Sequence, residues 1–419
     1  MKKNVFFIAA LGAALLAASG CGKKPAGTAA APKEYEPLAP ADTFIMVYAN
    51  EKAAQSEMAK FLVEQSKRYY AAIRKFAAEN AELSQSLNLP ACIPTDEELE
   101  KQAFSGDAKW TVVTVGKPAF KLAEVGDGAV PVPAVTAVSF MKEATTVDGL
   151  LAKGRECFAR QLGACPLPED YCKILDNITN ALVEGECTVA GCAVKTWSLE
   201  GEEIMRHITD FLPCLGVFDG RLVIAASSTN AFANAVALYR DGVGAAASDS
   251  QVAKDIATQG MFSRMGVYDV GAVAQEFCGA FAPGDEKMAD LANMTSAGFG
   301  LAYDDAKMTC SLVAGAKFTT AETATKIAEL ASNIKMMGGM FVGMAAMQPG
   351  MQFVNDIYSA IQIGASDNSC VIESPVSKDV IEKIDFDALL RLQAEQLAKE
   401  DACEDGECDE DADDAADEE

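Results

Sequence analysis

Two stretches of this chain run through the same order of periodicities, and that repetition limits the architectures open to it. In the first stretch, residues 43–48 form a short apolar run of strand type, and Asn50 stands where it can cap a following helix. That helix carries Met58, Phe61, Leu62, Tyr69, Ile73, Phe76 and Leu83 at near-helical spacing. Residues 110–115 and 134–141 alternate like strands, and a helix is expected from about Thr146. Two more apolar runs, 215–218 and 221–226, flank Asp219-Gly220, a strong hairpin signal. A helix over 230–239 closes the unit.

The second stretch is more compact. Residues 265–268 repeat the opening strand, with Val267-Tyr268 matching Val47-Tyr48, and a helix through Val273 and Phe277 follows. Residues 299–303 and 308–314 read as a hairpin about Asp304-Asp305. Lys317-Phe318-Thr319-Thr320 then leads into a helix, as residues 142–146 do in the first stretch. Residues 360–363 and 370–373 flank Asp367-Asn368, Val371-Ile372 matches Val223-Ile224, and a last helix follows from Lys378. Strand pairs alternating with helices across tight turns give an α+β fold, here a duplicated unit of antiparallel strand pairs alternating with helices. The expected units are 42–240 and 262–385, joined by a Gly/Ala/Ser-rich linker over 241–261. A C-terminal helix over 386–399 and a tail over 400–419 follow.

Composition sets the class. Half of the 419 residues are apolar, enough for a sizeable core, and the formal charge is −26. Such an acidic chain is unsuited to nucleic acid or to an anionic membrane surface. The tail holds thirteen acids and no base, cannot bury apolar area, and is expected to be disordered.

The first twenty residues have three zones: Lys2 and Lys3, an apolar stretch over 5–16, and Ala18-Ser19-Gly20 ahead of Cys21. That stretch is too short to span a bilayer and suits a signal peptide over 1–20. A cysteine directly after small residues resembles the lipobox of bacterial lipoproteins, although Ala18 stands where that class usually carries Leu. The resemblance implies that Cys21 becomes the mature N-terminus and carries acyl chains, palmitate among them. More than one chain makes such anchoring stable. It also implies a cell-envelope address with the membrane as partner. By the sorting rule of the class, Gly22 after the cysteine favours the outer membrane of a two-membrane cell. Residues 21–41 contain four prolines and read as a stiff tether. In outline, residues 40–385 also resemble an uncharacterised family of secreted bacterial proteins. The likeness rests on Pro40-Ala41-Asp42-Thr43 before the first strand and on the strand and small polar residues over 222–228.

An oxidising address makes disulfides the natural reading of the twelve cysteines beyond Cys21. Five crowd into residues 157–192 as a stapled insertion. Cys187 and Cys192 bracket the hairpin tip Thr188-Val189-Ala190-Gly191 and are the first candidate pair. No C-x-x-C, G-x-S-x-G, H-E-x-x-H or Walker loop occurs. His207, the one histidine, sits in an ordinary amphipathic helix turn.

The most unusual segment is a helix expected over about 320–347. Thr319 and Glu322 have capping-box spacing. Ile327, Leu330, Ile334, Met337, Phe341 and Met344 make a continuous apolar stripe, widened by Met336, Met340 and Met347. One reading is a long core helix. The other is an adaptable Met-rich surface over Met336, Met340, Met344 and Met347 for apolar ligands or peptides; a thioether copper(I) site is a third. Together these features describe a non-enzymatic envelope lipoprotein that binds or scaffolds, with an envelope protein or apolar ligand as partner and no cofactor. The alternatives are a carrier of apolar molecules on the Met-rich helix and a hydrolase built on a carboxylate pair.

Overall fold

The computed structural model describes residues 34–40, 43–50, 55–79, 94–97, 99, 108–116, 130–131, 133–154, 182–199, 208–209, 211–242, 245–246, 261–267, 290, 293–348 and 350–392. The signal segment, Cys21, His207, the acidic tail and most of the cysteine-rich insertion lie outside them.

The fold is α+β. Twelve strands form one sheet: β2 (Thr43–Asn50), β3 (Ala108–Gly116), β5 (Val135–Met141), β6 (Leu182–Val189), β7 (Cys192–Leu199), β9 (Cys214–Phe218), β10 (Leu222–Ala226), β12 (Met261–Val267), β13 (Met294–Asp304), β14 (Thr309–Phe318), β15 (Gln362–Ser366) and β16 (Ser369–Ser377). Across the sheet they lie in the order β15-β16-β14-β13-β12-β2-β3-β5-β10-β9-β7-β6, every neighbour antiparallel. Two small ladders stand apart: β1 (Leu38–Ala39) with β11 (Ala245–Ala246), and β4 (Val130–Pro131) with β8 (Ile208–Thr209).

The two sequence stretches share this sheet through the β2·β12 pair. Outward from that joint the order is β2-β3-β5-β10-β9 on one side and β12-β13-β14-β16-β15 on the other. The joint register is Ile45↔Val267, Met46↔Gly266 and Val47↔Met265. With Val47-Tyr48 aligned to Val267-Tyr268, Met46 faces its own counterpart, and each neighbour faces the other's. This is the self-complementarity of a two-fold interface, here inside one chain.

Hairpin chemistry accounts for the turns. Asp219 and Gly220 both take positive φ, 51° and 70°, the mirror-type turn that matches strand twist. Ala190 and Gly191 do the same at the β6–β7 tip, at 51° and 85°. Helices α1 (Glu57–Glu79), α2 (147–154), α3 (Thr229–Asp241), α4 (Ala321–Ala346), α5 (Gln352–Ala360), α6 (Lys378–Glu382) and α7 (386–392) dress the sheet. The main core lies on one face, where Met46, Val112, Val138, Phe140, Leu222 and Ile224 meet Phe232 and Val236 of α3. On the opposite face Leu150 of α2 packs with Met141 and Val223, and α4 covers the β14–β16–β15 end.

Several local expectations need correction. Asn50 is the last residue of β2, whereas the described helix starts at Glu57 and takes its cap from Ser56, whose hydroxyl accepts from the Ala59 amide. The cap of α4 is Thr320, whose hydroxyl accepts from the Thr323 amide, while the Thr319 amide is spent on the Asn293 carbonyl. The linker contains β11, paired with β1. Of the stretch expected as a tether over 21–41, residues 35–39 dock on the sheet. Tyr35 is buried against Phe140, Phe218 and Tyr239, and Trp110 Nε1 donates to its carbonyl at 3.0 Å. The Leu38 amide donates to the Tyr239 hydroxyl, which donates in turn to the Leu38 carbonyl.

Candidate docking surface

Helix α4 begins as an ordinary covering helix. After the Thr320 cap, Ala324 and Ala328 lie against Phe318 and Cys370, with Ile327 and Ile363 packed alongside. Small residues on this side let the helix sit close to the sheet. Farther along, α5 takes over as the neighbour. The Tyr358 hydroxyl donates to the Lys335 carbonyl, and a Cβ at Gly338 would collide with that hydroxyl. The Lys335 ammonium donates to the carbonyls of Ser359 and Ile361.

The large side chains point the other way. Ile334, Met336, Met337, Met340, Phe341, Met344 and Met347 are between 57 and 83 % exposed, and Leu330 is 40 % exposed. The stripe expected as a core seam therefore faces solvent from Leu330 onward, because alanine and glycine form the packed side. At 100° per residue these side chains share one face roughly 160° wide and about 20 Å long. Residues 336–347 include no charged side chain. Monomers ordinarily leave no more than about 300–600 Å² of contiguous apolar surface exposed, and seven large side chains each more than half exposed strain that limit. Met336, Met340, Met344 and Met347 all lie on this ridge, and their unbranched chains can adjust to an uneven partner.

A carrier calls for an open groove beside Met340 and Met344. A groove of about 500 Å³ runs instead between α4 and β15, past Thr325, Glu329, Ser332, Asn333 and Ala365. A hydrolase calls for two acids in one apolar cleft. Glu79 and Asp387 do border one small cavity, but Lys75 and Arg391 line it too and its volume is about 10 Å³, room for a single water. Asp304 is held below the usual carboxylate range by the Lys307 ammonium and by backbone amides, so it stays a charged turn residue.

The expected Cys187–Cys192 bridge is absent, and both thiols are free. Cys192 pairs with Val189, and Cys187 pairs with Val194. The two cysteines are therefore diagonal neighbours about 7–8 Å apart, beyond the Cα separation of about 4.4–6.8 Å that a bridge needs. Cys214, Cys310 and Cys370 are also free, and burial raises the pKa of each. Among the described residues no cluster of His, Cys, Asp and Glu could hold a metal, and no helix is long and apolar enough to cross a membrane.

No family model matches the chain, and no curated protein does. Two solved structures are similar at a distance. Crystal form III of TP0453 has 7 % identity and a TM-score of 0.33, covering 84 % of this chain and 98 % of that one. Crystal form I gives 7 % and 0.32, covering 85 % and 98 %. Overlap at this level establishes no kinship.

Proposed function

We propose that this chain is a lipid-anchored protein of the cell envelope, tethered through Cys21, with a non-enzymatic binding role. The face of α4 is the surface it binds with. The address rests on the lipobox-like residues before Cys21, and Gly22 favours the outer membrane. The binding role rests on one observation: the exposed ridge of Ile334 and the large side chains from Met336 to Met347, a stretch with no charged residue after Lys335. Burying such side chains against a partner yields roughly 1.5–3 kcal/mol for each one fully covered. A ridge, unlike a closed cavity, suits docking onto a surface and gives a small ligand no enclosure.

Methionine oxidation tests the binding reading without knowledge of the partner. Whole cells are treated with peroxide, and sulfoxide at Met336, Met340, Met344 and Met347 is read by peptide mass spectrometry. A covered ridge oxidises several-fold more slowly than the same peptides in the unfolded protein. Oxidation at the unfolded rate would show that nothing covers the ridge in the cell.

A further inference from the structure

We infer that the occupant of the α4 ridge is a second copy of this chain, joined edge to edge through β15 so that the two α4 helices pack side by side. This rests on the reading of α4 as a binding surface and names what it binds.

The sheet has two outer edges, and they differ. On β6 the edge is guarded: Glu184 and Glu186 stand on the strand and both pair with Lys195 of β7, at 2.8 and 2.6 Å. Charges of this kind are how native sheets discourage further pairing. The β15 edge has no such device. Gln362–Ser366 contains no charge and no proline, and its register with β16 runs without a bulge.

The direction of its free groups follows from the turn. Ser366 and Ser369 close a two-residue hairpin, so Ser366, Gly364 and Gln362 spend their backbone groups on β16. Ile363 and Ala365 then direct N–H and C=O outward. Among the described residues nothing accepts or donates to these four groups. Ile361, next in the outward row, has its carbonyl taken by Lys335 of α4, which shows how near the helix lies to this edge.

Edge and ridge adjoin. Thr325, Glu329 and Ser332 line the groove on the β15 side of α4, and Met336 and Met340 continue that side of the helix. A lipid surface would cover the ridge and leave the edge bare, while a lone peptide strand would do the reverse. A two-fold copy covers the edge together with the flank of the ridge that carries Met336, Met340 and Met347. Antiparallel β15·β15 pairing satisfies Ile363 and Ala365, and strands about 4.8 Å apart bring helices lying over β15 and β16 to about 10 Å, an interaxial distance at which helices pack. The charges of α4 lie at its first half and at Lys335, so the abutting stretch carries no like-charge penalty. The same kind of joint already exists within the chain at β2·β12.

The test uses the protein processed and lipidated in its own cells and kept in detergent, its protein mass measured by light scattering. Wild type is expected at twice the mass of one chain. Ala365→Pro removes an outward N–H and leaves the β15·β16 bonds intact; Met340→Glu charges the exposed ridge. Each is expected to halve the mass with a melting temperature close to wild type, which separates dissociation from misfolding. A monomeric wild type overturns the proposal, as does a dimer that persists in either variant. If wild type is monomeric while the α4 methionines remain protected in cells, the ridge binds something other than a second copy. Loss of that protection as well removes the binding surface itself.

Discussion

Tyr35 donates its phenolic hydrogen to Asp219 Oδ2 at 2.7 Å, tying the proline-containing segment ahead of β2 to a hairpin tip 184 positions away. The ring fills a slot between Phe140, Phe218 and Tyr239. Tyr35→Phe keeps the packing and loses one hydrogen bond, a cost of about 1 kcal/mol. Tyr35→Ala empties the slot and is expected to cost about 3–5 kcal/mol. Urea unfolding of both variants checks the order and the gap.

Alkali should destabilise the fold more steeply than a protein with exposed tyrosines. Burial pushes Tyr303 up to about 12, and burial pushes Tyr35 and Tyr239 further still, helped for Tyr35 by the bond to Asp219. In the unfolded chain tyrosine ionises near 10. Above that pH the unfolded state loses protons that the native state keeps, so stability present below about pH 10 falls as pH rises. Urea midpoints across this range should drop, and Tyr35→Phe should drop less.

Gly216 owes its place to Phe232. A Cβ there would lie 2.5 Å from Phe232 Cζ, 2.7 Å from Cε2 and 3.1 Å from Val194 Cγ2. Phe232 is fully buried and has nowhere to move. Gly216→Ala should therefore destabilise by about 1–3 kcal/mol, despite the better strand propensity of alanine. Thermal melting of this variant against Gly364→Ala, an open position, provides the control.

Cys187 and Cys192 should both be alkylated without reductant. Cys187, which is exposed, reacts first, and Cys192, buried with its pKa raised, reacts only as the protein unfolds. Peptide mapping that found them linked would mean the β6–β7 register is wrong.

Cys21→Ser should abolish incorporation of labelled fatty acid and block normal processing. Label retained by the variant would refute the anchor.

Much of the strand order was legible because hairpin tips declare themselves locally: Asp219-Gly220, Asp304-Asp305 and Asp367-Asn368 all fall at the expected turns. Their partners are near in sequence, so periodicity and turn chemistry suffice. The β2·β12 pairing was not legible, since alternation shows that a strand exists and leaves open which distant edge it meets. The stripe on α4 was visible, but its orientation was not. Period alone cannot tell whether the large or the small side faces the sheet, and here Ala324, Ala328 and Gly338 took the inner side. Tyr35 hid in a proline-rich stretch where one aromatic among flexible neighbours gives no periodic signal. Cys187 and Cys192 were placed on the right hairpin, yet the two-residue tip set them diagonal.

The β2·β12 joint makes each half the missing neighbour of the other. Separated, either half would present a hydrogen-bond-hungry border at Ile45–Ala49 or at Ser263–Val267, with Arg264 its one charged residue. A chain nicked between residues 247 and 260 would thus yield two fragments that travel together on a column, and co-expressed halves should rebuild the whole where neither survives alone.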